Sequence, residues 1–127
     1  MNVNKLIGPI ILSICVLSKL AAQKQTDYMD YHRDIINAEE LITKEKYPDA
    51  LLIFKKVFAS YEFIFLRDYK IAAQLAFFIK DDEKAFDYIR LGISDGWTLE
   101  EITKNKFLIP LQKKQEWEII KKTIRLT

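Results

Sequence analysis

From Asp27 onward, apolar side chains return every three or four positions, the period of one helix face. Tyr28, Tyr31, Ile35, Ala38 and Ile42 form the first stripe, and Asp27 stands where an N-cap belongs. A second helix begins near Pro48, which a first turn tolerates because the missing N–H would be unpaired there anyway. Its stripe is Ala50, Phe54, Val57 and Tyr61. A third is predicted after Asp68, with Tyr69, Ala72, Ala73, Ala76 and Ile79 on one side. The fourth follows Asp81-Asp82 and presents Ala85, Ile89 and Ile93, with Gly92 in the stripe and Gly96 placed to stop it in a left-handed turn.

Thr98 and Glu101 have the T-x-x-E spacing of a capping box, which predicts a short helix from Leu99 to about Asn105. Pro110 then ends the connection "NKFLIP", and a last helix turns Trp117, Ile120 and Ile124 inward and its lysines outward. The segment "EFIFL" (62–66) has no partner strand and is expected to be an apolar connection packed under the third helix. The fold class is therefore all-α.

The chain also matches itself. Shifted by 35 residues, Ala38 falls on Ala73, Leu41 on Ala76, Ala50 on Ala85 and Phe54 on Ile89. Two antiparallel helices on a short turn approach closely only where small side chains face each other, so paired alanines have a physical role. Ala38 is expected to oppose the region of Ala50, and Ala73 that of Ala85.

These residues, together with Tyr47 and Tyr69, resemble the tetratricopeptide repeat, a helix–turn–helix of about 34 residues. The resemblance is to the small exported bacterial kind and covers residues 32 to 95. Asn37 and Ala72 stand where that family prefers Leu, and Gly92 where it prefers Ala. It implies a domain of residues 23–127, with repeats at about 28–61 and 67–95 and a capping segment at 96–127. Together these would form helical hairpin repeats in a short right-handed solenoid. An unrelated bundle of helical hairpins is the other arrangement the pattern allows. About three units are normally needed to cover a repeat array's apolar faces. The closing helices would supply the cover, with Trp97, Phe107 and Trp117 as anchors.

The amino terminus has a different layout. Lys5 precedes an apolar core from Leu6 to Leu17, followed by Ala21-Ala22 and the polar "QKQTD". That is the order of a secretory signal peptide over residues 1–22. The core is about twelve residues, short of the roughly 20 that span a bilayer, and the alternative is an uncleaved anchor. Cys15 follows "LSI", but Ile14 stands where lipid attachment wants a small residue. With the leader removed, no cysteine remains and no stable membrane span is expected. The expected destination is the periplasm or the medium.

Composition narrows the chemistry. The chain carries 20 basic and 18 acidic residues, and loss of Lys5 and Lys19 with the leader balances them. No excess of charge argues for nucleic acid. Beyond residue 22 there is one histidine, His32, and two serines, Ser60 and Ser94, neither in a nucleophile motif. No metal-ligand spacing or Gly-rich phosphate loop occurs. The lysines near Trp117 are broken up by Glu116 and Glu118, as on a solvated face. The expectation is a protein that is not an enzyme, holds no cofactor or metal, and is monomeric.

What remains is binding to a protein or peptide segment. The resemblance implies that the first helix of each pair lines a concave face. That face would comprise His32, Ile35, Glu39 and Ile42, then Arg67, Lys70, Gln74, Phe77 and Phe78. Because Ala73 and Ala76 supply the buried side, at least one of the two rings should point elsewhere, unless the closing helices cover both. Arg67, Lys70 and Gln74 would make a groove that is cationic at one end and aromatic at the other. The expected function is an exported adaptor or scaffold. A structural accessory subunit of a cell-envelope assembly is the alternative.

Exported protein should begin at or near Gln23, and its intact mass measures this directly. A mass that still includes residues 1–22 would show the segment to be retained.

Overall fold

Asp27 opens the first helix with its side chain, which accepts a bond from the Met29 N–H at 3.0 Å. The computed structural model describes Lys24 and residues 27–127, so the leader, its cleavage point and Cys15 lie outside the described residues. Helices α1 (Tyr28–Thr43), α2 (Tyr47–Ser60), α3 (Leu66–Phe78) and α4 (Asp82–Ser94) are followed by the shorter α5 (Leu99–Lys104). A 3-10 turn (Ile109–Lys113) and α6 (Gln115–Arg125) complete an all-helical fold, with no strand among the described residues.

α1 packs along α2 and α3 along α4, while α2 meets α3 more lightly. Ala38, Ala50, Ala73 and Ala85 are all fully buried, as close approach within each pair requires. Tyr31 and Ile35 from α1, and Phe54 and Val57 from α2, fill the space around them. Leu51, Phe86 and Tyr88 join the core from positions beside the expected stripes.

Both hairpins turn in the same way. The Lys46 N–H bonds back to Leu41 O at 2.9 Å, and the Asp81 N–H to Ala76 O at 2.9 Å. Between these residues Glu45 and Lys80 adopt the left-handed conformation, with φ of 58° and 65°. The hydrogen bonds recur at the same 35-residue offset as the alanines.

α4 ends by a related route at Gly96, whose φ is 104°. The Trp97 N–H then reaches Gly92 O at 2.7 Å, which folds the indole back over the helix. A Cβ at Gly92 would lie 2.8 Å from Trp97 Cε3, so this position has no room for a side chain.

The capping box forms as expected, with the Thr98 hydroxyl accepting from the Glu101 N–H and the Glu101 carboxylate accepting from the Thr98 N–H. Trp97 and Trp117 are buried, but Phe107 is 71% exposed and anchors nothing. Leu108 and Leu111 take its place, because the 3-10 period of three puts these two on one side. Pro110 accordingly opens this turn and does not end a connection.

α3 also departs from expectation by starting at Leu66, ahead of Asp68. Asp68 is not the cap but a buried first-turn residue whose carboxylate is bonded to Tyr31. Of the apolar connection before α3, only Ile64 is buried, and Phe63 and Phe65 are exposed. The Tyr28 hydroxyl secures it, donating to Phe63 O at 3.2 Å and accepting from the Phe63 N–H at 3.1 Å.

Gly92→Ala should push the Trp97 ring out of place and cost about 1–3 kcal/mol. Denaturant midpoints measure the loss, and an unchanged midpoint would show that the indole does not rest on this glycine.

Candidate functional site

The apolar rows of α3 explain where a site is left. Ala72, Ala73 and Ala76 occupy its buried face, and successive helical residues are rotated by about 100°. Gln74 and Phe78 are therefore turned toward a different side, with Phe77, four residues after Ala73, at the border. Phe78 is 63% exposed, and its ring meets the Tyr47 ring edge-on with centroids 4.9 Å apart. Phe77 is half-buried and packs against the core. The closing segment thus leaves one ring open and the other largely covered.

Around Phe78 lies an apolar hollow of about 250 Å³, bounded by Ile42 at the end of α1, Tyr47, Ile71 and Leu75. Phe107 faces it from the segment after α5. The hollow continues past Gln74 and Phe77 into a wider cleft of about 580 Å³, bounded by Lys80, Asp82, Pro110 and Lys114. Two elements that the sequence pattern treated as closure therefore make one wall.

The other residues expected on this face lie elsewhere. Ile35 is 5% exposed and belongs to the core, so it offers nothing to a ligand. His32 is exposed at the opposite end of α1, with its ring 5.6 Å from that of Phe65. Glu39 and Arg67 pair with each other between α1 and α3. Lys70 bonds Glu101 of α5 at 3.2 Å, and its ammonium sits 5.7 Å from the centre of the Trp97 ring. Arg67 and Lys70 are thus engaged in joining helices, and the expected cationic end is supplied by Lys80 and Lys114 instead. Lys114 is paired with Asp82.

Gln74 is the polar group shared by both parts of the cleft. Its Nε2 donates to Lys70 O at 3.0 Å, while its Oε1 accepts from no described residue. Ser60 and Ser94 donate to the carbonyls of Lys56 and Arg90, four residues back on their own helices. Neither serine is bonded to His32 among the described residues.

A second polar arrangement sits beneath Arg67. The Tyr31 hydroxyl donates to Asp68 Oδ2 at 2.5 Å and accepts from the Phe65 N–H at 3.2 Å. Asp68 is 3% exposed, and burial pushes its carboxyl above the usual aspartate value. The Tyr31 hydrogen bond and the charges of Arg67 and His32 oppose that shift, while the charge of Glu39 adds to it. The Tyr31 hydroxyl is itself pushed well up, first by burial and then by its bond to Asp68.

Tyr47, Lys80, Phe107 and Lys114 were not among the expected site residues. Phe107 had a readable signal, since Leu108, Leu111, Trp117 and Ile120 already make a continuous inward row that excludes it. Lys80 and Lys114 had none, because they meet only through tertiary packing. Comparison with protein-family models, with curated proteins and with solved structures gives no match in any of the three.

The direction of the Asp68 shift fixes its effect on stability. A carboxyl raised above its unfolded value binds its proton more tightly when folded. Its contribution is therefore fullest below the ordinary aspartate value and is lost as pH rises through the raised one. The stability of the parent relative to Asp68→Asn should increase as pH falls through that window. Denaturant melts at a series of pH values test this, and a flat or falling difference would contradict the assigned shift.

Proposed function

We propose that this chain is an exported, non-catalytic helical-repeat protein of tetratricopeptide-like type that docks a segment of another protein in the cleft beside Phe78. One observation carries the reading. Phe78 and Phe107 line the same hollow and, at 63% and 71% exposure, are the two most exposed phenylalanines among the described residues. Exposed aromatic rings in a concave site are the usual anchors of a protein contact. Support for the repeat comes from the matching turns at Glu45 and Lys80, with the same hydrogen bonds and the same backbone sign 35 residues apart. On this reading the hairpins form a short right-handed solenoid that works in the periplasm or medium. No described helix is long and apolar enough to cross a membrane.

A second reading, the structural accessory subunit, draws on a different surface. Ile119 of α6 is 47% exposed and lines an apolar hollow between α4 and α6, and Leu126 at the end of that helix is 88% exposed. A permanent neighbour would cover that end and leave the cleft open.

Site-specific photocrosslinking in the native host separates the two. A photoreactive phenylalanine at position 78 or 107 should yield one and the same adduct, absent when the probe replaces Ile36, an exposed residue of α1 that does not line the cleft. Phe78→Ala should weaken capture about tenfold while leaving the melting temperature nearly unchanged, because the ring is largely in water. Adducts from position 119 with none from 78 or 107 would favour the accessory subunit and overturn the docking role.

A further inference from the structure

The two ends of the cleft differ in chemistry. Around Tyr47, Phe78 and Phe107 the lining carries no charge. At the other end are Lys80, Lys114 and Asp82, with the Asp82 carboxylate already committed to Lys114. Lys80 has no ion-pair partner among the described residues. This end therefore keeps a net positive charge, although the chain as a whole is nearly neutral.

Between the ends, Gln74 is fixed in one orientation. A carbonyl oxygen only accepts, so the Lys70 carbonyl must hold the amide nitrogen, and Oε1 is turned away as an acceptor. An occupant can satisfy it only by donating an N–H or O–H. A peptide backbone does so along its whole length. A hydrocarbon chain does not, which weighs against a fatty acid despite its suitable acidic head.

We infer that the occupant is an extended protein segment with apolar side chains at the Phe78–Phe107 end and an acidic side chain at the Lys80–Lys114 end. One of its backbone N–H groups bonds Gln74 Oε1. This rests on the docking role proposed above and adds to it a polarity and a charge preference. The rings supply affinity through desolvated contact, and the lysines orient the segment and speed its encounter. Because Lys80 is exposed, its contribution is reduced by salt.

The test is a titration of the isotope-labelled mature protein, followed by amide chemical shifts. The acidic probe is a capped peptide of Leu, Phe and Ser with two Asp at one end. A second probe has Lys in place of Asp, and a third is decanoate. The acidic probe should move the amides of Gln74, Phe78, Lys80 and Phe107 and bind about fivefold tighter than the basic one. Lys80→Glu should abolish or reverse that preference with the melting temperature unchanged. Gln74→Leu should weaken both peptides alike.

Equal binding of the acidic and basic probes in the cleft would overturn the charge preference and leave the docking role standing. Failure of both peptides to shift cleft amides would overturn the inference, and the crosslinking result then decides the docking role separately. Tighter binding of decanoate than of the acidic peptide would assign the cleft to a lipid. Movement of the same amides on concentrating the protein alone would assign it to a second copy.

Discussion

The hydroxyl of Tyr31 and the carboxylate of Asp68 lie 2.5 Å apart in a setting almost closed to water, and the alignment of the two hairpins turns on this contact. α2 and α3 touch only lightly, and residues 27–127 hold no cysteine to link them. Long side chains reach from α1 to α3 instead. Tyr31 serves two partners, since it also accepts from the Phe65 N–H at the start of α3. Removing either partner would leave a buried polar group unsatisfied, which costs more than the bond itself contributes. Above it the Glu39–Arg67 pair, more exposed, adds direction more than energy. The cleft is a consequence. It exists because Ile42 at the end of α1 and Phe78 at the end of α3 are held on one side of the molecule.

Much of the fold was legible because local rules and tertiary packing agree. Asp27, Asp81 and Thr98 cap the helices they precede, and the apolar stripes of α1, α2 and α4 face the core, with Tyr28, Ile42 and Ile93 at their ends only partly buried. Asp68 was misread for a reason that local rules cannot remove. The helix was expected to begin after it, whereas Asp68 lies inside the first turn because its carboxylate is taken up by a partner 37 residues away. The candidate site was legible only in part. Gln74, Phe77 and Phe78 follow from the rotation of α3, but Arg67 and Lys70 sit on the same helix and find acidic partners on α1 and α5 before they reach the cleft.

Gly92 shows how a departure from a repeat pattern acquires a cause. The tetratricopeptide pattern that the sequence resembles favours Ala there. After α4, Gly96 reverses the chain and brings Trp97 onto the helix, where a Cβ at Gly92 would lie 2.8 Å from the ring. Closure by an indole needs a glycine beneath it, so the two residues are one adaptation. The same closing segment then carries Phe107 outward, because Leu108 and Leu111 take the inward places.

Lys80 joins this backbone logic to the proposed chemistry. Its φ of 65° is a conformation that glycine adopts without cost and a side chain adopts at about 1–2 kcal/mol. Glu45 occupies the equivalent place in the first hairpin with φ of 58°. The turn itself therefore accepts either sign of charge and does not require a cation. The end of α3 itself favours a cation through its dipole, while the hydrogen bonds of both turns are made by backbone groups. The same cation also lines a cleft whose one carboxylate among the described residues, Asp82, is paired with Lys114, and whose opposite end is aromatic and uncharged.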